Sequence, residues 1–229
     1  MKLISTLLGR VIFSVPVDEM LPQGGVHLPD VLPMLTERYG FLTSPSLSDS
    51  LGKVREQGMR FETGKFRRDD GEDRVVQDLT VWNEGIVAST STTEDAEELL
   101  NDFLTWGRDT LRFRLTPEMV TMKLFLSQVV VEFERPISLA LRSFEAISGS
   151  MNDALRSTYQ TELPAIELSL VHFDYDREIA PSAFAQLSRF GIERRGGHPY
   201  TDSVFFCQAP LPTREHLRVL EEMEALLTD

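Results

Sequence analysis

The chain has 229 residues, 41% hydrophobic and 26% charged, which allows a sizeable core and excludes a disordered or low-complexity chain. The formal net charge of −13 is spread evenly: 13 basic against 19 acidic residues in 1–115, and 10 against 17 in the remainder. No half offers a basic footprint for nucleic acid or an anionic membrane, and a single cysteine, Cys207, excludes an intramolecular disulfide and a cysteine-based zinc site.

The first residues, MKLISTLLGRVIFSVPV, begin like a signal peptide, but Arg10 interrupts the apolar run and no small-residue cleavage site follows. Residues 7–17 are rich in Val, Ile and Phe and are predicted as a strand. No apolar run reaches membrane-spanning length, and a lone cysteine fits a reducing compartment, so a soluble cytoplasmic protein is expected. PDVLPMLTERYG predicts a short helix that Asp30 caps and Gly40 closes, with Pro33 tolerable only in the first turn. Residues 44–57 are Ser-rich and carry no clear pattern.

GMRFETGKF predicts a strand, and FRRDDGEDR a polar, mobile loop. VVQDLTVWNEGIVASTS predicts two strands around NEG, with Gly85 supplying the positive φ of a tight turn. Ser91 and Glu94 then fit a capping box, and Ala96, Leu99, Leu100, Phe103 and Leu104 fall on one helical face.

The second half repeats the order. MKLFLSQVVVEFE predicts a long strand with Phe125, Val129, Val131 and Phe133 on one face. Pro136 suits the first turn of a helix whose apolar stripe is Ile137, Ala140, Leu141, Phe144, Ile147, Met151 and Leu155, and the short connection predicts that Phe144, Ile147 and Met151 fold back onto Phe125, Val129, Val131 and Phe133. Strands follow at 165–176, 184–195 and 203–209. A last helix starts at Thr213 as its cap and turns Val219, Leu220, Met223, Leu226 and Leu227 inward.

The expected fold class is therefore α+β. Two pseudo-repeated strand–helix–strand–strand–strand–helix units, residues 1–115 and 116–229, form mainly antiparallel sheet covered by helices, as two lobes or one continuous domain. In element order each unit resembles the half-repeat of the TATA-binding-protein fold. That likeness is of topology and implies no residue role: the DNA-binding members are basic with intercalating aromatics, and this chain is acidic.

For chemistry, VHFDYD places His172, Asp174 and Asp176 at strand spacing on one face, and His198 lies in the hairpin beyond. IERRGGHPY offers Arg194 and Arg195 for a phosphate or carboxylate, or for pairing with Glu193, Asp174 or Asp202. The same residue types serve equally in a solvated strand end. GKFRR is the densest basic patch, and DDGED neutralises it at once. No Walker loop, dinucleotide fingerprint or nucleophile elbow occurs, and Cys207 among aromatics reads as a buried, inert thiol. No cofactor and no metal are expected, nor is direct nucleic-acid binding.

These observations favour a non-enzymatic module that works through a protein partner, as an accessory subunit or an inhibitor or immunity-type protein. The rivals are an enzyme or small-ligand sensor with a pocket between the two units, for which His172, Asp174, Arg194, Arg195 and His198 are the ligand candidates, and an acidic nucleic-acid mimic that binds a basic protein through its Glu-rich helices.

Overall fold

A computed structural model describes residues 1–22, 25–46, 58–68, 70–114, 119–134, 142–159, 168–174, 176, 187–199 and 202–226, with backbone alone at 142–146. The expectations at Pro136, Ile137, Ala140 and Leu141, at 165–167, 184–186 and Leu227, and for the side chain of Phe144 lie outside the described residues.

The fold is α+β. In chain order it runs β1 (Lys2–Ser14), α1 (Val17–Met20), α2 (Leu28–Tyr39), β2 (Met59–Arg67), β3 (Asp73–Trp82), β4 (Gly85–Thr90) and α3 (Thr93–Leu111). It continues with β5 (Met122–Glu132), α4 (Arg142–Tyr159), β6 (Leu170–Phe173), β7 (Phe190–Arg194), β8 (Val204–Ala209) and α5 (Thr213–Leu226). The strand order is β2-β3-β4-β1-β5-β8-β7-β6, and every ladder with a defined register is antiparallel. Outward from β1 come β4, β3 and β2; outward from β5 come β8, β7 and β6.

The chain divides into two compact units that exchange short pieces. The N-terminal unit is Thr6–Ser127 with Pro210–Thr213, and the C-terminal unit is Met1–Ser5, Gln128–Ala209 and Arg214–Asp229. A cut at 115/116 misses this division, because the long strands β1 and β5 each contribute to both units.

In the N-terminal unit, alternation along β1, β3 and β4 turns Val11, Phe13, Leu79, Val81, Ile86 and Ala88 to one buried face. Ala96, Leu99, Leu100, Phe103 and Leu104 of α3 cover that face, as their helical spacing predicts, and Val31, Leu32, Leu35 and Tyr39 of α2 complete it. The cap of α3 lies one residue beyond the expected box: Thr92, not Ser91, accepts from the Asp95 amide at 3.2 Å. Gly85 also has another role than expected. It opens β4 without a positive φ, and a Cβ there would sit 2.7 Å from the Phe13 carbonyl oxygen. Gly9 is tighter still, since a Cβ would fall 1.9 Å from the Thr92 carbonyl carbon. Helix α2 ends at Gly40 in the left-handed region, as read from sequence, but His27 occupies its N-cap and no side chain caps it. Pro33 lies inside that helix, past the first turn.

The N-terminal unit also holds Thr213, whose hydroxyl was expected to cap its own helix. Instead it accepts from the Thr93 amide at 3.0 Å, while the Thr213 amide donates to the Thr93 hydroxyl at 2.6 Å. The pair is buried, so each hydroxyl satisfies an amide that the start of a helix leaves without an intrahelical partner.

In the C-terminal unit, Val129, Val131 and Phe133 pack with Ile192, Cys207 and Leu220. The helix on this face is α5, through Leu220, Leu217 and Met223. Sequence reasoning assigned that place to α4, yet Ile147 is 53% exposed and Met151 43%. An amphipathic stripe states that a helix has an apolar side; it does not state which surface fills it.

Candidate interaction surface

The five residues singled out from sequence all lie in the β6–β8 hairpins, but the register separates them. His172 stands opposite Gly191, and Arg194 opposite Phe205; Gly191 and Arg194 are three residues apart on β7, so His172 and Arg194 project from opposite faces. Asp174 takes the Arg189 guanidinium at 2.6 Å. Arg194 donates to the His198 carbonyl oxygen across the Gly-Gly turn, and the His198 ring lies 3.8 Å from Asp202. Arg195 is exposed, and its backbone amide donates to the Val204 carbonyl at 3.0 Å. His172, Asp174 and His198 are exposed too. Among the described residues there is no His, Cys, Asp and Glu group placed to hold a metal.

Two titratable groups of this unit are deeply buried. Burial pushes the Cys207 thiol up to about 12, which leaves it protonated and unreactive at neutral pH. Burial also lowers the His216 imidazole to about 4, beside the Phe190 ring at 5.6 Å.

The acidic and basic clusters of the N-terminal unit are largely used within the chain. On α3, Asp95 and Glu98 hold Arg68 at 3.2 and 2.8 Å, Glu97 holds Lys123 at 2.6 Å, and Asp102 takes Arg38 at 2.7 Å and the Tyr39 hydroxyl at 2.7 Å. The patch around GKFRR is consumed in the same way: Arg67 and Lys65 flank Asp73 and hold its carboxyl below the usual range, Arg67 foremost. Arg38 also lies over the ring of Trp106, 5.7 Å from its centroid, which packs that half-buried tryptophan within the protein. Alternation in β1–β4 gives one further row that the sequence reading passed over. Arg10 donates to Ser89 at 2.9 Å, and Arg10 and Arg60 lie 3.7 and 3.9 Å from the buried Asp78 carboxylate. The row takes one polar residue from each of four neighbouring strands, Arg60, Asp78, Ser89 and Arg10, a juxtaposition that strand order and register create.

The two outermost strands differ. Beside β2, the Leu42 amide donates to the Glu62 and Thr63 carbonyls at 3.2 and 3.0 Å, and Thr43 bridges Glu62. This cover suits an edge that would otherwise template another strand. At β6 the Arg194 amide donates to the Ser169 carbonyl at 2.9 Å. In an antiparallel ladder the bonded pairs alternate, so Val171–Ile192 and Phe173–Phe190 are bonded pairs too. The backbone N–H and C=O groups of Leu170 and His172 therefore face away from β7, along the last strand of the sheet. Beside them Leu170 is 42% and Phe173 57% exposed, with Phe173 edge-on to Phe190 at 5.8 Å. Sequence reasoning chose the polar members of VHFDYD and passed over Phe173, since strand order, which makes β6 outermost, is not written locally.

No helix among the described residues is long and apolar enough to cross a membrane. Comparison with protein-family models, with curated proteins and with solved structures finds no match to this chain.

Proposed function

We propose that this protein is a non-enzymatic, cytoplasmic interaction module, an accessory subunit or an inhibitor or immunity-type protein, that engages a protein partner by strand addition at β6. The observation that supports this reading is the outermost strand β6, with backbone groups at Leu170 and His172 directed away from β7 and Phe173 exposed beside them. An added strand gains main-chain hydrogen bonds from such an edge and specificity from the alternate side chains. The carboxylates of α3 support this reading over a nucleic-acid mimic, because Asp95, Glu97, Glu98 and Asp102 already hold cations of the same chain.

The test is backbone-directed. His172→Pro removes an amide that points outward, while the β6–β7 bonds at Val171 and Phe173 remain; Val171→Pro removes an amide that β7 uses. Tagged wild type and the His172→Pro variant are used to capture proteins from the source cells, with circular dichroism as the check on folding. A partner retained by wild type and lost at least about tenfold on His172→Pro is the expected result. Equal capture by both proteins, or no specific capture by wild type, rejects the reading.

A further inference from the structure

Helix α4 offers a second surface, independent of the β6 edge. Ile147, Ser150, Met151 and Ala154 line one open groove along it, and a Cβ placed on Gly149 would meet nothing within 4 Å. These positions recur at i, i+3, i+4 and i+7, so they form one ridge on one side of the helix. Its apolar members, Ile147 and Met151, are 53% and 43% exposed.

Two properties point to the occupant. The first is size. Along the groove the order is large, small, large, small: Ile147, Ser150, Met151, Ala154. Reversing the helix about the point between Ser150 and Met151 lays each large side chain on a small one. Ile147 meets Ala154 and Met151 meets Ser150, and a twofold axis makes both contacts twice, as an isologous interface requires. The second is charge. Residues 142–159 hold two arginines, one aspartate and one glutamate, for a net charge of zero, while α3 carries −5, α5 −2, α2 −1 and α1 −2. Two copies of a chain at −13 repel through most of their surface. Among the described helices α4 is the one along which they approach without added like-charge opposition.

We infer that α4 is a homotypic contact: a second copy of this chain packs antiparallel on Ile147, Ser150, Met151 and Ala154. The pairing leaves β6 for a partner of another kind, so the two proposals stand or fall separately. The contact is small and apolar, and the protomers repel at long range. Association should therefore be weak and should tighten with salt, as screening removes the repulsion while the apolar contact persists.

The test is sedimentation equilibrium of the full chain from about 5 to about 500 μM, at low and at about 0.5 M NaCl, where the Debye length falls to a few ångströms. A monomer–dimer equilibrium is expected, several-fold tighter at the higher salt. Ile147→Asp and Met151→Asp each place a charge in the contact and should raise Kd about 100-fold or more, with the circular dichroism spectrum unchanged because both positions are exposed. Under mild oxidation Ser150→Cys should form a covalent dimer, and Asp109→Cys, at the exposed end of α3, should not. A monomer throughout that range, a dimer insensitive to both aspartates or weakened by salt, or equal cross-linking of the two cysteine variants overturns the proposal.

Discussion

The two units list their strands outward in the same manner, yet they bury apolar side chains differently. The N-terminal unit gathers residues from β1 to β4, α1, α2 and α3 into one cluster with Leu79, Ile86, Leu99 and Leu100 fully enclosed. The C-terminal unit, among its described residues, encloses Val129, Val131, Phe133, Ile192, Cys207 and Leu220 and leaves Ile147, Met151, Leu170 and Phe173 exposed along one helix and one strand, whereas the N-terminal unit exposes Leu42 and Val75 singly. The contrast also holds at the strand edges, where residues 42–43 cover β2 while β6 is outermost. Apolar surface that a protein leaves uncovered in one region, while packing another tightly, marks where association is available.

The largest test of this contrast lies in the N-terminal unit. Gly9→Ala puts a methyl into the backbone at Thr92 and Thr93, which cannot yield as a flexible side chain would. A loss of about 4 kcal/mol or more, read by urea unfolding, is expected. In the C-terminal unit, Val131→Asp places an unpaired carboxylate in the small core and should cost about 3 to 5 kcal/mol. Ile147→Ala should change monomer stability by less than about 0.5 kcal/mol. If Ile147→Ala instead destabilises the monomer as a core truncation does, α4 is packed within the protein and the contrast is lost.

A smaller effect separates the units by pH. His216 accepts a proton at about 4 when folded and near 6.5 when unfolded. The unfolded chain thus binds the proton first as pH falls. The stability from neutral, buried His216 is complete above pH 6.5 and is lost between 6.5 and 4, by at most about 3 kcal/mol. Phe205 fluorescence is too weak to report this, so hydrogen exchange resolved by segment is the measurement. Protection of β7, β8 and α5 should fall before that of β3, β4 and α3, and His216→Gln should flatten the difference. Smallest is Asp73→Asn, which removes an exposed partner of Arg67 and Lys65 and should lower the thermal melting midpoint only slightly, less again in high salt.

What the sequence disclosed follows the range of each interaction. The inward face of α3 and the strands around NEG depend on periods of 3.6 and 2, and both are present as read. The cap of α3 slipped by one residue because the run STSTT at 89–93 offers several equivalent hydroxyls. Gly85 was given the right kind of place for the wrong reason: what excludes a side chain is the Phe13 carbonyl of another strand, a contact that local turn rules do not see. The β6–β8 candidates were read as convergent because His172, Asp174, Arg194 and His198 are close in sequence. Only the register shows that His172 and Arg194 face opposite ways.

The reciprocal bonds between Thr93 and Thr213 join residues 120 positions apart. During synthesis α3 therefore begins with its Thr93 amide unpaired, and the partner is added after 120 further residues, a delay on the order of ten seconds at ordinary elongation rates. The N-terminal unit, although most of it is made first, closes its last buried hydrogen bonds only when the chain is nearly complete. A chain that stops before Thr213 lacks both these bonds and the α5 side chains Leu217, Leu220 and Met223 that pack on Val129, Val131 and Phe133.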